Sequence, residues 1–238
     1  MHVGFMQPGS VSELHVHEDE VESMYLISGE LEVTVGDLQF RMRSGESYFA
    51  PRNTLHRVRN AGTAESRSLF IGTSCRFTCF SQKPVFKREA ETYLFFGVPT
   101  VIHLSGSETG KEFSLLESYM PGGGDSGLHV HGNEDECIYL LTGELEVTIG
   151  DSPFTLKAGS SCFVPRNTPH RLCNKRVDTA RAMHLNTPGT LDSFMRLAGI
   201  RIKSPVEVVA AYPSPDQIGA ILLLSEEYDF QMLIPPGM

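Results

Sequence analysis

The chain has 238 residues, 40% hydrophobic and 21% charged, with 20 Lys and Arg against 29 Asp and Glu, a net charge of −9. This is enough apolar material for ordinary cores and excludes a disordered or fibrous chain; the acidic balance also disfavours nucleic-acid and anionic-membrane partners. The longest apolar run, Ile218 to Leu224, is far shorter than the ~18 residues that span a bilayer.

In chain order, Met1-His2-Val3-Gly4-Phe5 has no basic stretch followed by an apolar one, so no secretory signal is expected. Only fourteen residues precede His15-Val16-His17. Leu31, Val33 and Val35 then alternate with Glu32 and Thr34, the period of two that marks a half-buried strand. Gly29-Glu30, Gly36-Asp37 and Gly45-Glu46 punctuate these runs as turns, and Pro51-Arg52-Asn53 turns into a strand at His56. Cys75 and Cys79 read as small half-buried residues. With Cys137, Cys162 and Cys173 they make five thiols with no CxxC spacing, which suits a reduced, cytoplasmic chain. A long β-like lead runs from Tyr93 to Met120, and the alternation returns at Leu145, Val147 and Ile149. Thr190 can cap a helix with Leu191, Phe194, Met195 and Ala198 on one face and Gly199 as its stop. Ser214-Pro215-Asp216-Gln217 opens a second helix, with Ile218, Ile221, Leu222 and Ser225 at helical spacing.

The chain repeats itself. A shift of 114 residues lays His15–Asn60 on His129–Asn174 with 26 identities in 46 positions and no gap. A unit this long carries its own core, so the repeat is a duplicated domain and not a solenoid. Short strands and tight turns predict an all-β chain of two tandem antiparallel β-barrels with a short helical tail. The expected boundaries are 1–90 for the N-terminal barrel, 91–188 for the C-terminal barrel and 189–238 for a tail packed on the barrels. The first barrel has the shorter lead, which leaves an edge to be covered by the other half or by a second subunit; a homodimer through barrel-edge strands is expected.

Each copy holds four ligand-type residues at the same spacing: His15, His17, Glu22 and His56, then His129, His131, Glu136 and His170. Histidines two apart on a strand share a face. Glu22 after a short turn, and His56 after the Pro-Arg-Asn turn, can reach the same point. Three imidazoles and a carboxylate suit Fe, Mn, Co, Ni, Cu or Zn and leave open positions for substrate or oxygen. A lone His-x-His is ordinary surface polarity; eight residues retained across two copies, among drifting neighbours such as Glu18-Asp19 against Gly132-Asn133, are not.

The pattern G-x5-H-x-H-x4-E-x6-G followed by G-x5-P-x-N-x2-H-x3-N resembles the two motifs of the cupin superfamily, and two copies resemble a bicupin, over about residues 1–190. Asn53 and Asn167 stand where that family often has Gly; Asn tolerates the left-handed backbone such a turn needs. The resemblance implies jelly-roll barrels (double-stranded β-helices), each with one divalent metal at its mouth, iron foremost, held by the matching quartet. The tail, with Phe194, Gly199 and Pro235-Pro236, is similar to tails of quercetinase-like cupins.

Strand parity places Met24, Leu26 and Val58, and likewise Ile138, Leu140 and Leu172, inward as apolar pocket walls, with Tyr25 outward. No inward Arg or Lys stands beside the ligands to clamp a small dianion. The expected function is therefore a metal-dependent dioxygenase acting on a hydrophobic or aromatic enol or phenol. Glu22 or Glu136 would alternate between ligand and general base. A redox-silent isomerase, cyclase, lyase or decarboxylase on the same site is the alternative, and a non-catalytic binding protein the third. The second half, with its fuller barrel, is the expected catalytic one.

Overall fold

A computed structural model describes residues 1–73, 83–87, 90–206 and 215–233. The chain divides into two compact units, Met1–Glu89 with Glu108–Glu112, and Ala90–Ser107 with Phe113–Met238.

The N-terminal unit holds β1 (His2–Met6), β2 (Val21–Ser28), β3 (Glu30–Val35), β4 (Leu38–Arg43), β5 (Ser47–Ala50), β6 (His56–Asn60), β7 (Ser66–Thr73) and β8 (Val85–Lys87). They form two antiparallel sheets, ordered β1-β7-β2-β5-β8 and β4-β3-β6. Between them lies a core of Met24, Leu26, Leu31, Val33, Val35, Met42, Tyr48, Ala50 and Val58. The β3 alternation is as read, with Leu31, Val33 and Val35 buried. Gly29 opens β3 at φ 98°, and a Cβ there would stand 2.7 Å from Ser66, so both backbone and space require glycine. The segment 108–112 joins this unit, where the buried Glu112 carboxylate accepts from Arg52 Nη2 (3.1 Å) and Thr73 Oγ1 (3.0 Å).

The C-terminal unit holds β9 (Glu91–Phe95) and β10 (Val98–Leu104); the single turn α1 (Gly106–Thr109) follows β10. Then come β11 (Ser114–Met120), β12 (His129–His131), β13 (Asp135–Thr142), β14 (Glu144–Ile149), β15 (Ser152–Lys157), β16 (Ser161–Val164), β17 (His170–Cys173) and β18 (Ala180–Thr187). The chain ends with α2 (Leu191–Ala198), β19 (Ile200–Ile202), α3 (Pro215–Tyr228) and β20 (Phe230–Met232). The sheets run β16-β13-β18-β11-β10-β9-β19 and β15-β14-β17-β12-β20. Here β11-β18-β13-β16 repeats β1-β7-β2-β5, and the lead read from Tyr93 to Met120 supplies the extra β9 and β10. Asn53 (φ 57°) and Asn167 (φ 62°) adopt the left-handed turn.

Four local expectations change. Thr190 makes no side-chain cap on α2; the carboxylate of Glu134 takes the amides of Thr190 and Leu191 instead. The tail is more than helical, because β20 pairs with β12, setting His129 opposite Met232 and His131 opposite Phe230. In α3 the inward face is Ile221, Leu224 and Tyr228, while Ile218 and Leu222 are exposed. The outward parity of Tyr25 does not bring it to water, since it is 1% exposed. Cys75, Cys79, Ser214 and Pro235-Pro236 lie outside the described residues; Cys137, Cys162 and Cys173 are free thiols. Among the described residues no helix is long and apolar enough to cross a membrane.

Candidate metal centres

Matching segments carry both ligand sets, with β12 in the C-terminal half answered by an isolated bridge at His15 in the N-terminal half. His15 and His56 exchange backbone hydrogen bonds of 3.1 and 2.9 Å, and β12 and β17 set His129 opposite His170 in the same way. One ligand atom each from His15, His17, Glu22 and His56 falls within 4.8 Å of the others, and so does one each from His129, His131 and His170. Glu136 stands just outside the second cluster.

Four rings are fixed alike. Nδ1 of His15, His56, His129 and His170 lies 2.8, 2.8, 3.0 and 3.0 Å from the carbonyl oxygens of Glu13, Thr54, Gly127 and Thr168. A carbonyl only accepts, so Nδ1 carries the proton and Nε2 presents its lone pair. Nε2 of His56 and of His170, and Oε2 of Glu136, are buried without a hydrogen-bond partner. Such orphans cost about 1–3 kcal/mol each, and a divalent ion at the convergence point satisfies them. Burial, with repulsion from His170 and His131, holds His129 well below the ordinary imidazole range and keeps it a neutral ligand. The donor sets fit a borderline transition ion.

The two carboxylates are anchored differently. Glu22 Oε1 accepts from the Tyr48 hydroxyl at 2.6 Å, and Oε2 lies 3.3 Å from His17 Nε2. Burial would raise the Glu22 pKa, but His56, Tyr48 and His17 outweigh it and lower it. Glu136 Oε1 accepts from His184 Nδ1 at 2.8 Å, and His184 Nε2 faces Ser118 Oγ at 2.7 Å. Its Oε2 is 3.1 Å from His170 Nε2, a pair not aligned as donor and acceptor. Burial opposes ionisation of Glu136 too, yet His170 and His184 hold it well below the usual carboxylate range.

Beside the C-terminal set lies a cavity of about 80 Å³, walled by Phe95, Phe96, Leu116, Met120, Leu172, Leu191, Met195 and Phe230 and reached by Ser118, His129, His131, Glu136 and His184. The Phe230 ring centroid is 5.4 Å from that of His129 and 5.2 Å from that of His131.

A cupin-domain family matches twice, at residues 3–72 and 115–186. The chain belongs to the cupins. As a bicupin it is similar to quercetin 2,3-dioxygenase of Bacillus subtilis (strain 168), at 36% identity over 84 residues, 34% of this chain and 24% of that protein. It is similar to H2HPP isomerase of Bacillus subtilis at 27% identity over 190 residues, 78% of each chain. The solved structure of Lactobacillus farciminis oxalate decarboxylase superposes with a TM-score of 0.66 at 14% identity, over 79% of this chain and 76% of that one, a likeness of fold. The bicupin covers 52% and 51% of two further curated relatives.

Of the six expected pocket residues, Leu172 lines the cavity. Met24, Leu26 and Val58 belong to the N-terminal core and Ile138 and Leu140 to the C-terminal core; positions two and four beyond each glutamate lie on the strand where it is packed between the sheets. Tyr48, Ser118 and His184 escaped the sequence reading because the repeat does not retain them: their counterparts are Cys162, Gly4 and Phe70. Phe230 lay in a tail read as helical. Glu134 could have been found, since Glu20 matches it.

Proposed function

We propose that this bicupin is a metal-dependent enzyme whose C-terminal barrel isomerises a small hydrophobic carbonyl compound by moving a proton within its enolisable part. The observation that carries the reading is the series Glu136–His184–Ser118, at 2.8 and 2.7 Å, along the wall of an apolar cavity. A divalent metal held by His129, His131 and His170, with Glu136 in reach, would supply a Lewis acid for the substrate oxygen.

The remaining work falls to side chains. Glu136 stands just outside the imidazole cluster, so its carboxylate would exchange metal contact for a proton taken from carbon. His184 donates to it from Nδ1 and accepts from Ser118 at Nε2, so the proton has a path between Glu136 and the Ser118 hydroxyl at the cavity wall. Phe95, Phe96, Leu191, Met195 and Phe230 hold the hydrophobic body and exclude water. Among the described residues no Arg or Lys lines the cavity, which disfavours a small dianion. The similarity to an isomerase over 78% of both chains supports the reading.

An iron dioxygenase on an enol or phenol is the second reading, favoured by the 36% identity to quercetin 2,3-dioxygenase. Metal-loaded protein in D₂O, free of oxygen, separates the two. The isomerase incorporates deuterium into hydrophobic enolisable carbonyl compounds, with zinc as well as with iron; product formation that requires oxygen uptake would overturn it.

A further inference from the structure

We infer that Glu134 is a positioning residue that ties the ligand His131 to helix α2, so that metal binding in the C-terminal barrel and docking of α2 form one linked equilibrium. The inference rests on the metal-binding reading of this barrel and not on the reaction assigned to it.

Glu134 is 4% exposed. Its Oε1 accepts from the backbone N–H of Thr190 at 2.6 Å and of Leu191 at 2.9 Å, the first amides of α2. Its Oε2 lies 3.5 Å from Nδ1 of His131, the long limit of a hydrogen bond. His129 and His170 rest on backbone carbonyls. His131 is therefore the ligand of this cluster whose orientation depends on a side chain, and that side chain also holds a helix.

Charge points the same way. A carboxylate this buried is costly unless compensated. Among the described residues no Lys or Arg forms an ion pair with Glu134; the neighbouring Arg166 pairs with Asp135 at 2.7 Å and reaches Glu134 only through the longer-range attraction of opposite charges. Its direct partners are the positive end of α2 and the His131 ring. A divalent ion on Nε2 of His131 makes Nδ1–H a stronger donor and draws it onto Glu134. Leu191 and Met195 of α2 line the cavity, so tightening this contact also firms the cavity wall. Linkage is reciprocal: metal strengthens docking of α2 by the same factor as docked α2 strengthens metal binding.

The test is a Co(II) titration of the metal-free full chain, followed by the cobalt absorption bands, with hydrogen exchange of α2 in parallel. Glu134→Gln keeps an oxygen for the two amides and removes the charge. The C-terminal site, identified as the one abolished by His131→Ala, should weaken roughly 10- to 100-fold, with the N-terminal site unchanged. Glu20→Gln, at the exposed matching position, should alter neither site. Co(II) should slow exchange of amides 191–198 in the unmodified chain and do so much less in Glu134→Gln. Unchanged Co(II) affinity in Glu134→Gln overturns the inference, as does α2 exchange in the unmodified chain that ignores the metal. The second measurement stands even if the variant does not fold. Neither readout involves turnover: linkage without deuterium incorporation would keep this inference and reject the isomerase.

Discussion

Replacing His184 with alanine in the metal-free protein removes the 2.8 Å donor of Glu136 and the 2.7 Å partner of Ser118. The His184 and Glu136 side chains are 13% and 5% exposed, so water replaces the lost donor poorly. Breaking a buried charged pair costs about 3–5 kcal/mol, and losing a hydrogen bond to a charged group alone about 1.5–3 kcal/mol. His184 donates as a neutral ring whose other nitrogen accepts from Ser118, so the second figure applies, and burial of the pair puts it at the upper end, about 3 kcal/mol at neutral pH. For a chain of this length that lowers the Tm of the affected unit by roughly 6–12 °C. The sign with pH follows from the Glu136 carboxyl, held well below its usual range by His170 and His184 against the effect of burial. A depressed folded pKa contributes stability that is complete above the unfolded carboxylate value of about 4.3 and is lost as pH falls through the folded value. The gap between unmodified protein and variant is therefore widest above about pH 5 and narrows in acid. Calorimetry of chelator-treated samples at neutral and acid pH measures both. A gap under about 1 kcal/mol at neutral pH, or one that widens in acid, refutes the argument. The same variant should keep metal on its three imidazoles and lose roughly 10²- to 10⁴-fold in proton transfer.

Tyr48→Phe removes the 2.6 Å donor of Glu22; denaturant unfolding should show a loss of about 1–3 kcal/mol, while deuterium exchange at the C-terminal barrel is unchanged. Phe230→Ala empties a site 4% exposed beside His129 and His131. It should cost about 3–5 kcal/mol, and a competing chelator should strip the C-terminal metal faster. Metal at a thousandfold excess over its Kd should stabilise the folded chain by about 4 kcal/mol, read as a Tm difference with and without chelator.

The sequence carried most of the fold because duplication acts as an internal comparison. The alternation of Leu31, Val33 and Val35, the glycine turns and the left-handed Asn53 and Asn167 are local signals that tertiary packing then kept. The metal ligands were legible for the same reason, being retained twice. What surrounds them was not. Residues that differentiate the halves are by definition unretained, so His184 looked like an isolated histidine and Tyr48 like a core aromatic. Glu134 caps a helix 56 residues away, a pairing no local pattern encodes. Parity placed Ile138 and Leu140 correctly inward but gave no depth along the barrel, and depth separates a cavity wall from the core.

The anchors of the two carboxylates explain why the same ligand set need not do the same work in both halves. The Tyr48 phenol is buried against Glu22, and burial together with that carboxylate pushes its pKa well above the ordinary range, so near neutral pH it only donates. It fixes Oε1 of Glu22 as an acceptor, and the imidazoles near Glu22, His17 and His56, belong to the ligand set itself. In the C-terminal half the same oxygen faces an imidazole, whose second nitrogen reaches Ser118. An imidazole can give a proton at one nitrogen and take one at the other, so Glu136 can be loaded and cleared. The exchange of partners is coupled in the chain: where His184 stands against Ser118 in one half, Phe70 stands over Gly4 in the other, where a Cβ would lie 2.6 Å from the ring. Installing the relay in the N-terminal half therefore requires both positions to change together, and Phe70→His alone, over a glycine with no hydroxyl, should leave that half without proton transfer.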